Sequence, residues 1–412
     1  MATVALFGTL DTKGAEYEYF CERVRERGVN VLLVDVGVLS GARPRADITR
    51  EEVAAAVGED VHELERAGDR GAAVAAMGRA AASVAVRLHA ERRLDAIAGL
   101  GGSSGSSIVA TAMRALPVGV PKLLVSTLAS GDTRPYVGAA DVTMTYSVVD
   151  IAGLNRVSRR IIANAAAAIA GMATADAGRD DESRPLVGAS MFGVTTPCVT
   201  RARARLEDLG YEVLVFHATG TGGQSLEGLA RARLLTGVLD VTTTELADEL
   251  VGGVLSAGPD RLESAGVAGI PQVVSPGALD MVNFGPIETV PERFRRRRLY
   301  VHNPSVTLMR TTREECAELG RILARKLNAA RGPVALFVPL RGFSALATEG
   351  QPFHDPEADD ALVGALREHL EPTVELRELD SDVNDARFAD AIAERLHELA
   401  HARVARGEPV PA

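Results

Sequence analysis

The chain has 412 residues, 46% of them hydrophobic and 24% charged, and a formal net charge of −10 at pH 7. This length predicts two domains, and the negative charge argues against non-specific binding of nucleic acids. Three widely spaced cysteines give neither a disulfide framework nor a metal-binding spacing, and no apolar run reaches the roughly 18 to 20 residues of a membrane span. We therefore expect a soluble, cytoplasmic protein with no membrane or nucleic-acid partner.

In the first half of the chain, short apolar segments alternate with helical ones. Strands are predicted at 3–7, 31–36, 95–100, 122–126 and 142–146, and helices at 14–27, 68–92, 105–116 and 154–174. Strands that are short and apolar throughout are typical of a parallel sheet with helices on both faces.

A polar, charged segment at 175–185 is typical of a linker, and it separates domains that we place at residues 1–178 and 186–406. The alternation then resumes, with strands at 186–191, 212–216, 238–241, 272–274, 299–302, 334–338 and 374–379, and helices at 197–209, 223–234, 244–256, 313–330, 358–370 and 385–405. The predicted fold class is therefore α/β, with a mostly parallel sheet and helices on both faces in each domain.

Three polar loops rich in glycine or serine follow predicted strands of the first domain. They are GTLDTKG at 8–14, GLGGSSGSS at 99–107 and STLASGDT at 126–133. Loops at the carboxyl edge of a parallel sheet meet there, and their backbone N–H groups and helix N-termini bind phosphate. A capped strand-to-helix turn is the alternative for the first loop, and a flexible turn is the alternative for the second.

Residue types in these loops suit a nucleotide. Glycines permit close approach of a ligand, hydroxyl groups and Lys13 suit phosphate, and Asp11 suits Mg²⁺ or a ribose. Asp35 ends the second strand, where either a ribose-binding carboxylate or a turn cap is expected. The spacing matches neither a G-x-G-x-x-G motif nor a Walker A motif. The candidate ligand-binding residues are Gly8, Thr9, Asp11, Thr12, Lys13, Asp35, Gly101, Gly102, Ser103, Ser104, Gly105, Ser106, Ser126, Thr127, Ser130 and Gly131.

Four residues of the second half are candidate catalytic groups. His217 and His302 each follow a predicted strand, which suits acid–base chemistry, although a lone histidine is usually packed or solvated. Cys198 lies at a predicted helix start, where the dipole would lower the pKa of the thiol; the alternative is a small buried thiol. Glu245 is either a general base or a charge at a helix N-terminus.

A further set of residues in the second half suits a small carboxylated or phosphorylated substrate. The loop at 217–224 is of the strand-to-helix type that binds anions, and two arginines would clamp an acid unless they are surface charges. The set comprises Thr219, Gly220, Thr221, Gly222, Gly223, Asp280, Asn283, Arg310, Arg341 and Ser344. No metal site is predicted.

Long motifs are distributed over almost the whole chain. They are FGTLDTKG (7–14), GLGGSSGSS (99–107), STLASGD (126–132), VDIAGLN (149–155), MFGVTTPCV (191–199), FHATGTGGQ (216–224), SPGALDMVNFG (275–285), HNPSVTLMRTT (302–312) and PLRGFS (339–344). With these motifs the sequence resembles the Tm-1-like ATP-binding domain family. The resemblance implies two Rossmann-like domains, a homodimer, and ATP, with or without Mg²⁺, bound by residues 8–13, 101–106 and 126–132.

From the motifs and the resemblance we expect an ATP-binding enzyme of unassigned reaction that acts on a small acidic substrate in its C-terminal domain. Two alternatives stay open. One is a non-catalytic, ATP-dependent regulatory or protein-binding dimer, and the other is a hydrolase or lyase in which ATP is only a structural or regulatory ligand. The density of His, Arg and Asp in the loops of the second half favours an enzyme.

Overall fold

The computed structural model describes residues 1–41, 44–176 and 184–405, with only the backbone for residues 403–405. The chain divides into two compact units, residues 1–179 and 180–412. Each unit contains a parallel sheet with helices packed on it, which confirms the predicted α/β class. The predicted linker at 175–185 lies mostly outside the described residues.

The N-terminal domain is built on five parallel strands. The strands are β1 (Thr3–Gly8), β2 (Asn30–Asp35), β3 (Ala96–Gly101), β4 (Lys122–Ser126) and β5 (Thr143–Tyr146). The helices are α1 (Leu10–Arg25), α2 (Arg50–Ala55), α3 (Val61–Ala67), α4 (Arg70–Ala90), α5 (Ser103–Arg114), α6 (Arg134–Val137) and α7 (Arg156–Thr174). The strand order is β2-β1-β3-β4-β5, so the direction of winding reverses between β1 and β3.

Both faces of this sheet are buried, which explains why its central strands are apolar throughout. Alternate side chains of β1 enter two different clusters, with Phe7 on one face and Leu6 on the other. Helices α4 and α5 supply the first cluster, and α1 and α7 supply the second. By length and composition α4 would suffice to cross a membrane, but half of its apolar window is buried, and α4 packs on α5 and α2 in the domain core.

The C-terminal domain contains a larger parallel sheet and a small antiparallel one. The strands are β6 (Leu186–Met191), β7 (Glu212–His217), β8 (Gly237–Thr242), β9 (Gln272–Gly277), β10 (Met281–Phe284), β11 (Leu299–Asn303), β12 (Val306–Arg310), β13 (Val334–Pro339) and β14 (Glu375–Leu379). The helices are α8 (Thr196–Asp208), α9 (Thr221–Arg231), α10 (Thr244–Val251), α11 (Ser264–Ala268), α12 (Arg313–Asn328), α13 (Pro356–His369) and α14 (Ala386–Ala405). The parallel sheet has the order β14-β13-β9-β8-β6-β7 and reverses between β6 and β8.

The antiparallel sheet, in the order β10-β12-β11, is a difference from the sequence prediction. The segment at 299–302 was predicted as a strand, and as β11 it pairs antiparallel with β12 outside the parallel sheet. Strands β10 and β12 were not predicted at all. β10 spans four residues, directly after the SPGALD loop, and so short a run gives no clear periodic signal.

Candidate functional site

A cavity of about 650 Å³ lies at the carboxyl ends of β1 and β3 in the N-terminal domain. Open α/β sheets bind ligands at this reversal of the strand order. The structure brings together there nine of the sixteen residues proposed from the sequence, with contributions from all three loops. They are Thr9, Asp11, Thr12, Lys13, Gly102, Ser103, Ser104, Gly105 and Thr127.

The N-terminus of α5 forms one wall of the cavity. Its N-cap residue, Gly102, offers no side chain, and no side-chain hydrogen bond caps the helix. The N–H groups in the first turn of a helix have no intrahelical acceptor, and here that turn is formed by Ser103, Ser104 and Gly105. Together with the positive end of the helix dipole, these groups favour an anion at this position.

The first turn of α1 forms the facing wall. Its N-cap residue, Thr9, makes no capping bond through its side chain. Lys13 departs from helical geometry, with φ −129° and ψ 23°, so the helix is kinked where Lys13 lines the cavity. A second helix N-terminus and a lysine therefore border the same space.

Several of the proposed residues hold the loops in place instead of lining the cavity. A Cβ on Gly8 would lie 2.2 Å from the ring of Tyr17, whose hydroxyl bonds to the backbone of β1 and β3. Gly101 is a glycine because a Cβ there would meet the backbone of residues 105 and 106. The carboxylate of Asp35 accepts the N–H groups of Leu10 and Gly37, which is the turn-cap alternative.

The remaining proposed residues of the loops also lie outside the cavity lining. The hydroxyls of Ser106 and Ser126 are buried and lie 2.7 Å apart, so they join α5 to the end of β4. Ser130 and Gly131 lie in an exposed turn after β4 and are not part of the cavity lining. All three predicted loops thus contribute residues to the cavity lining, but within each loop the prediction did not separate lining residues from supporting ones.

Asp11 lines the cavity and also holds a neighbouring loop in place. Its Oδ2 accepts the N–H groups of Val38 and Leu39, at 3.0 and 2.9 Å, and so holds the loop after β2 in place. A Cβ on Gly37 would lie 2.7 Å from this carboxyl group, which explains the glycine. The Oδ1 atom is buried and has no hydrogen-bond partner in the structure.

More than half of the cavity lining, 13 of 22 residues, was not found by sequence reasoning. Most of it comes from the loop after β2 and from α3 and α4, which reach the cavity only through the topology of the domain. An apolar surface is formed by Val36, Val38, Leu39, Leu64, Ala73, Val74 and Ile108. The other additions are Glu65, Gly68, Asp69, Arg70, Leu128 and Asp150. Asp150 lies in the VDIAGLN motif and Leu128 in the STLASGD motif, so for these two residues the sequence held a signal.

In the C-terminal domain, the glycine-rich loop at 219–223 binds a carboxylate of the protein itself. The side chain of Glu245 is fully buried and accepts the N–H groups of Gly220 at 2.7 Å and Gly223 at 3.0 Å. Its other oxygen accepts a bond of 2.6 Å from Arg261. Burial raises the pKa of Glu245, and the charge of Arg261 opposes that rise. The loop therefore binds the Glu245 carboxylate, and each satisfies the hydrogen bonds of the other.

Arg261 was not recognised in the sequence, although it is the centre of the largest buried charge cluster of the domain. It bonds both oxygens of Asp240, at 2.5 and 2.7 Å, and reaches Glu227 at 3.3 Å. The arginine is 1% exposed, so these contacts replace its hydration. A paired arginine gives no periodic or motif signal, which is why sequence reasoning missed it.

The candidate nucleophile and the two histidines are in different surroundings. Cys198 is completely buried on α8, in the core cluster that α14 also enters, and burial raises the pKa of its thiol. The lowering expected from the helix dipole is therefore wrong, and the buried-thiol alternative applies. His217 is exposed at the end of β7, with its ring 5.7 Å from that of Phe192. His302 is exposed on β11, in the antiparallel sheet.

The other candidate substrate residues bond to different partners. Ser344 donates to Asp280 over 2.7 Å, and both are fully buried. Asn283 donates to Asp248 over 2.6 Å, and burial raises the pKa of Asp248 to about 7.

The two proposed clamp arginines do not act as a pair. Arg310 is buried and pairs with Asp359 at 2.6 Å, where burial raises the pKa of the aspartate to about 7 against the effect of the arginine. Arg341 is exposed and pairs with Asp380 at 2.5 Å, the surface-charge alternative.

Comparison with known proteins supplies a family. The model of the Uncharacterised protein family (UPF0261) N-terminal domain matches residues 2–178, and that of its C-terminal domain matches residues 184–400. A UPF0261 protein of Clostridium tetani is 52% identical, over 95% of this chain and 98% of that protein. A UPF0261 protein of Rhizobium meliloti is 48% identical, over 97% and 100%.

A plant protein and a solved structure are also similar. The ToMV resistance protein Tm-1(GCR237) of Solanum lycopersicum is 44% identical over 80% of this chain and 45% of that protein, so the chain spans about half of its length. A structure of a putative UDP-N-acetylglucosamine 2-epimerase from Listeria monocytogenes covers 66% of this chain and 78% of that one, with 9% identity and a TM-score of 0.25. So distant a match carries no functional argument.

Proposed function

This chain belongs to the UPF0261 family, which it shares with the tomato Tm-1 proteins, and we propose that its N-terminal domain binds ATP. The observation that carries the proposal is the cavity at the reversal between β1 and β3. Two helix N-termini border it, and in neither does the side chain of the N-cap residue, Thr9 or Gly102, cap the helix. Its volume falls within the range of about 300 to 1,000 Å³ that small-molecule sites occupy.

The two sides of the cavity suit the two ends of a nucleotide. Phosphate would lie at the first turns of α1 and α5, where hydroxyl groups and backbone N–H groups concentrate. The base would lie against the apolar surface formed by the loop after β2 and by α3, α4 and α5. An apolar wall with a few polar groups at one end is the usual composition of a cofactor site.

Mg²⁺ belongs to the proposal as the ion that would neutralise part of the phosphate charge. Asp11 Oδ1, which is buried and unpartnered, and Asp150 are carboxylate oxygens of the type that Mg²⁺ accepts. Among the described residues, no group of three or more His, Cys, Asp or Glu is arranged to hold a metal. The phosphates and water would therefore complete the coordination, as is usual for Mg²⁺.

The proposal assigns no reaction to the C-terminal domain. The carboxylates and arginines selected from its sequence are paired with other side chains of the same domain.

We also propose that the protein is a cytoplasmic homodimer, as the resemblance implies. Its three buried cysteines form no disulfide, which is compatible with a reducing compartment. Sedimentation velocity with and without ATP would measure the mass of the assembly and so test whether it is a dimer.

The test of nucleotide binding is a thermal-shift series followed by calorimetry with ATP, ADP, AMP and NAD, each with and without Mg²⁺. A ligand at a hundred times its Kd stabilises the native state by about 2.7 kcal/mol, so ATP should raise the melting temperature measurably. If neither method detects any of the four nucleotides, the proposed function is wrong.

A further inference from the structure

Arg70 lines the cavity beside the helix N-terminus where phosphate is expected to lie. It is the first residue of α4, and its side chain lines the cavity. Its Nε donates a hydrogen bond of 3.2 Å to the hydroxyl of Ser104. Ser104 belongs to the uncapped first turn of α5, so the guanidinium group lies beside that helix N-terminus.

In the described parts of the chain, no carboxylate pairs with Arg70. The two acidic residues nearest to it in the cavity lining have other partners. Asp69 is the N-cap of α4 and accepts the N–H of Ala72 at 3.0 Å. Glu65 accepts bonds from Ser40 and pairs with Arg50. The terminal nitrogens of the Arg70 guanidinium thus remain available, and that group is well suited to bidentate bonds with phosphate.

Arg70 places a cation beside the positive end of a helix, where a cation is destabilising. Lys13 repeats this arrangement at α1, and in the described chain it too lacks an ion pair. Four carboxylates, those of Asp11, Glu65, Asp69 and Asp150, also line the cavity, and the first three are bonded to other groups. The two cations without ion pairs therefore lie at the two helix ends, where a polyphosphate chain would contact both.

Resting on the proposed function, we infer that Arg70 contacts the terminal phosphates and makes the site selective for nucleoside di- and triphosphates over monophosphates. A single phosphate is satisfied by one helix N-terminus. A longer phosphate chain is needed to engage both helix ends, Lys13 and Arg70 together. The ligand class is therefore a nucleotide with a polyphosphate chain.

The test compares Arg70→Gln, Arg70→Lys and Arg66→Gln by calorimetry with ATP, ADP and AMP in EDTA. Glutamine keeps a polar group near Ser104 but removes the charge, and lysine keeps the charge without the planar fork. Arg66 is the matched control, because it is an exposed arginine of α3 outside the cavity lining. Removing one charge-assisted bond should weaken ATP binding about ten- to a hundredfold in Arg70→Gln.

In the same variant, AMP binding should change by less than about twofold, because the inference places the α-phosphate beside Lys13 at α1 and only the following phosphates beside Ser104 and Arg70. Arg70→Lys should lie between Arg70→Gln and the wild type, and Arg66→Gln should match the wild type. An unchanged ATP:AMP affinity ratio in both Arg70 variants would overturn the inference while leaving ATP binding intact. Absence of nucleotide binding by the wild type is a separate result, which overturns the proposed function itself.

Discussion

Replacing Gly102 with aspartate should weaken phosphate binding at α5 while leaving the fold intact. Gly102 is the N-cap and has φ −81° and ψ −161°, a conformation open to any residue. A Cβ there would meet only Thr127 Oγ1, at 3.8 Å, which is an ordinary contact. The substitution should therefore introduce a carboxylate at the uncapped helix end without a steric clash.

Two opposite effects follow from this carboxylate. In the free protein it caps α5, and an aspartate cap exceeds glycine by a few tenths of a kcal/mol, with about 0.3–1 kcal/mol more from the helix dipole. Towards a phosphate about 4 Å away it is repulsive, by about 1 kcal/mol at the dielectric constant of water and about 4 kcal/mol at an effective value of 20. The expected loss of ATP affinity is thus about fivefold to a thousandfold, with no loss of stability.

The assay is thermal unfolding and calorimetry of wild type, Gly102→Asp and Gly102→Asn. Asparagine also caps helices but carries no charge, so the difference between the two variants isolates the repulsion. The aspartate variant should melt within a few degrees of the wild type or above it, and its response to ATP should be weaker than that of the asparagine variant. Equal ATP binding by all three folded proteins would refute the placement of phosphate at α5.

Two further predictions concern the C-terminal domain. Because burial raises the pKa of Asp248 to about 7 from an ordinary value of 3.8, the native state holds this proton more tightly. Its contribution to stability is therefore present below about pH 4 and is lost as the pH rises to about 7, by at most about 4 kcal/mol. Urea unfolding should show a smaller loss of stability between pH 5 and 8 in Asp248→Asn than in the wild type, and an equal loss would contradict the assignment. Gly223→Ala should destabilise by about 1–3 kcal/mol, because its Cβ would lie 2.1 Å from the Glu245 carboxylate. Gly228→Ala in the same helix meets no atom within 4 Å and should be neutral or stabilising; similar denaturation midpoints for the two variants would argue against a rigid Glu245.

The parallel strands could be predicted from the sequence because each is a short apolar run followed by a polar loop. β4 was predicted with its observed limits, and β1 to within one residue. The antiparallel strands β10 and β12 gave no comparable signal, because runs of four and five residues are too short to show a clear periodicity. The short helices α2 and α3 were missed for a similar reason, because six or seven residues provide less than two helical turns of periodicity.

The sequence located residues of the cavity lining where the signal was local and missed those whose position depends on the topology of the domain. Glycines and hydroxyls directly after β1 and β3 mark the loops that meet at the carboxyl edge of the sheet. Arg70 lies about thirty positions from Ser104 in sequence and meets it only because α4 and α5 pack together. In the other domain, Glu245 was chosen as a candidate general base and the Gly220 loop as substrate-binding, although they bind each other. A polar residue at a strand end has the same sequence signal whether its partner is a ligand or another side chain.

The two domains carry different residues at the edge of the sheet where the strand order reverses. In both sheets the order reverses between the first strand and the third, which are β1 and β3 in one domain and β6 and β8 in the other. β3 ends at Gly101 and α5 begins after Gly102, whereas β8 ends at Thr242 and α10 begins after Thr243. The hydroxyl of Thr242 lies 2.7 Å from that of Thr195, across the point of reversal, and the Thr243 hydroxyl bonds to the backbone of β9. Where the C-terminal domain joins its loops through threonine hydroxyls, the N-terminal domain has glycines at the two corresponding positions, and these carry no side chain between the end of β3 and the first turn of α5.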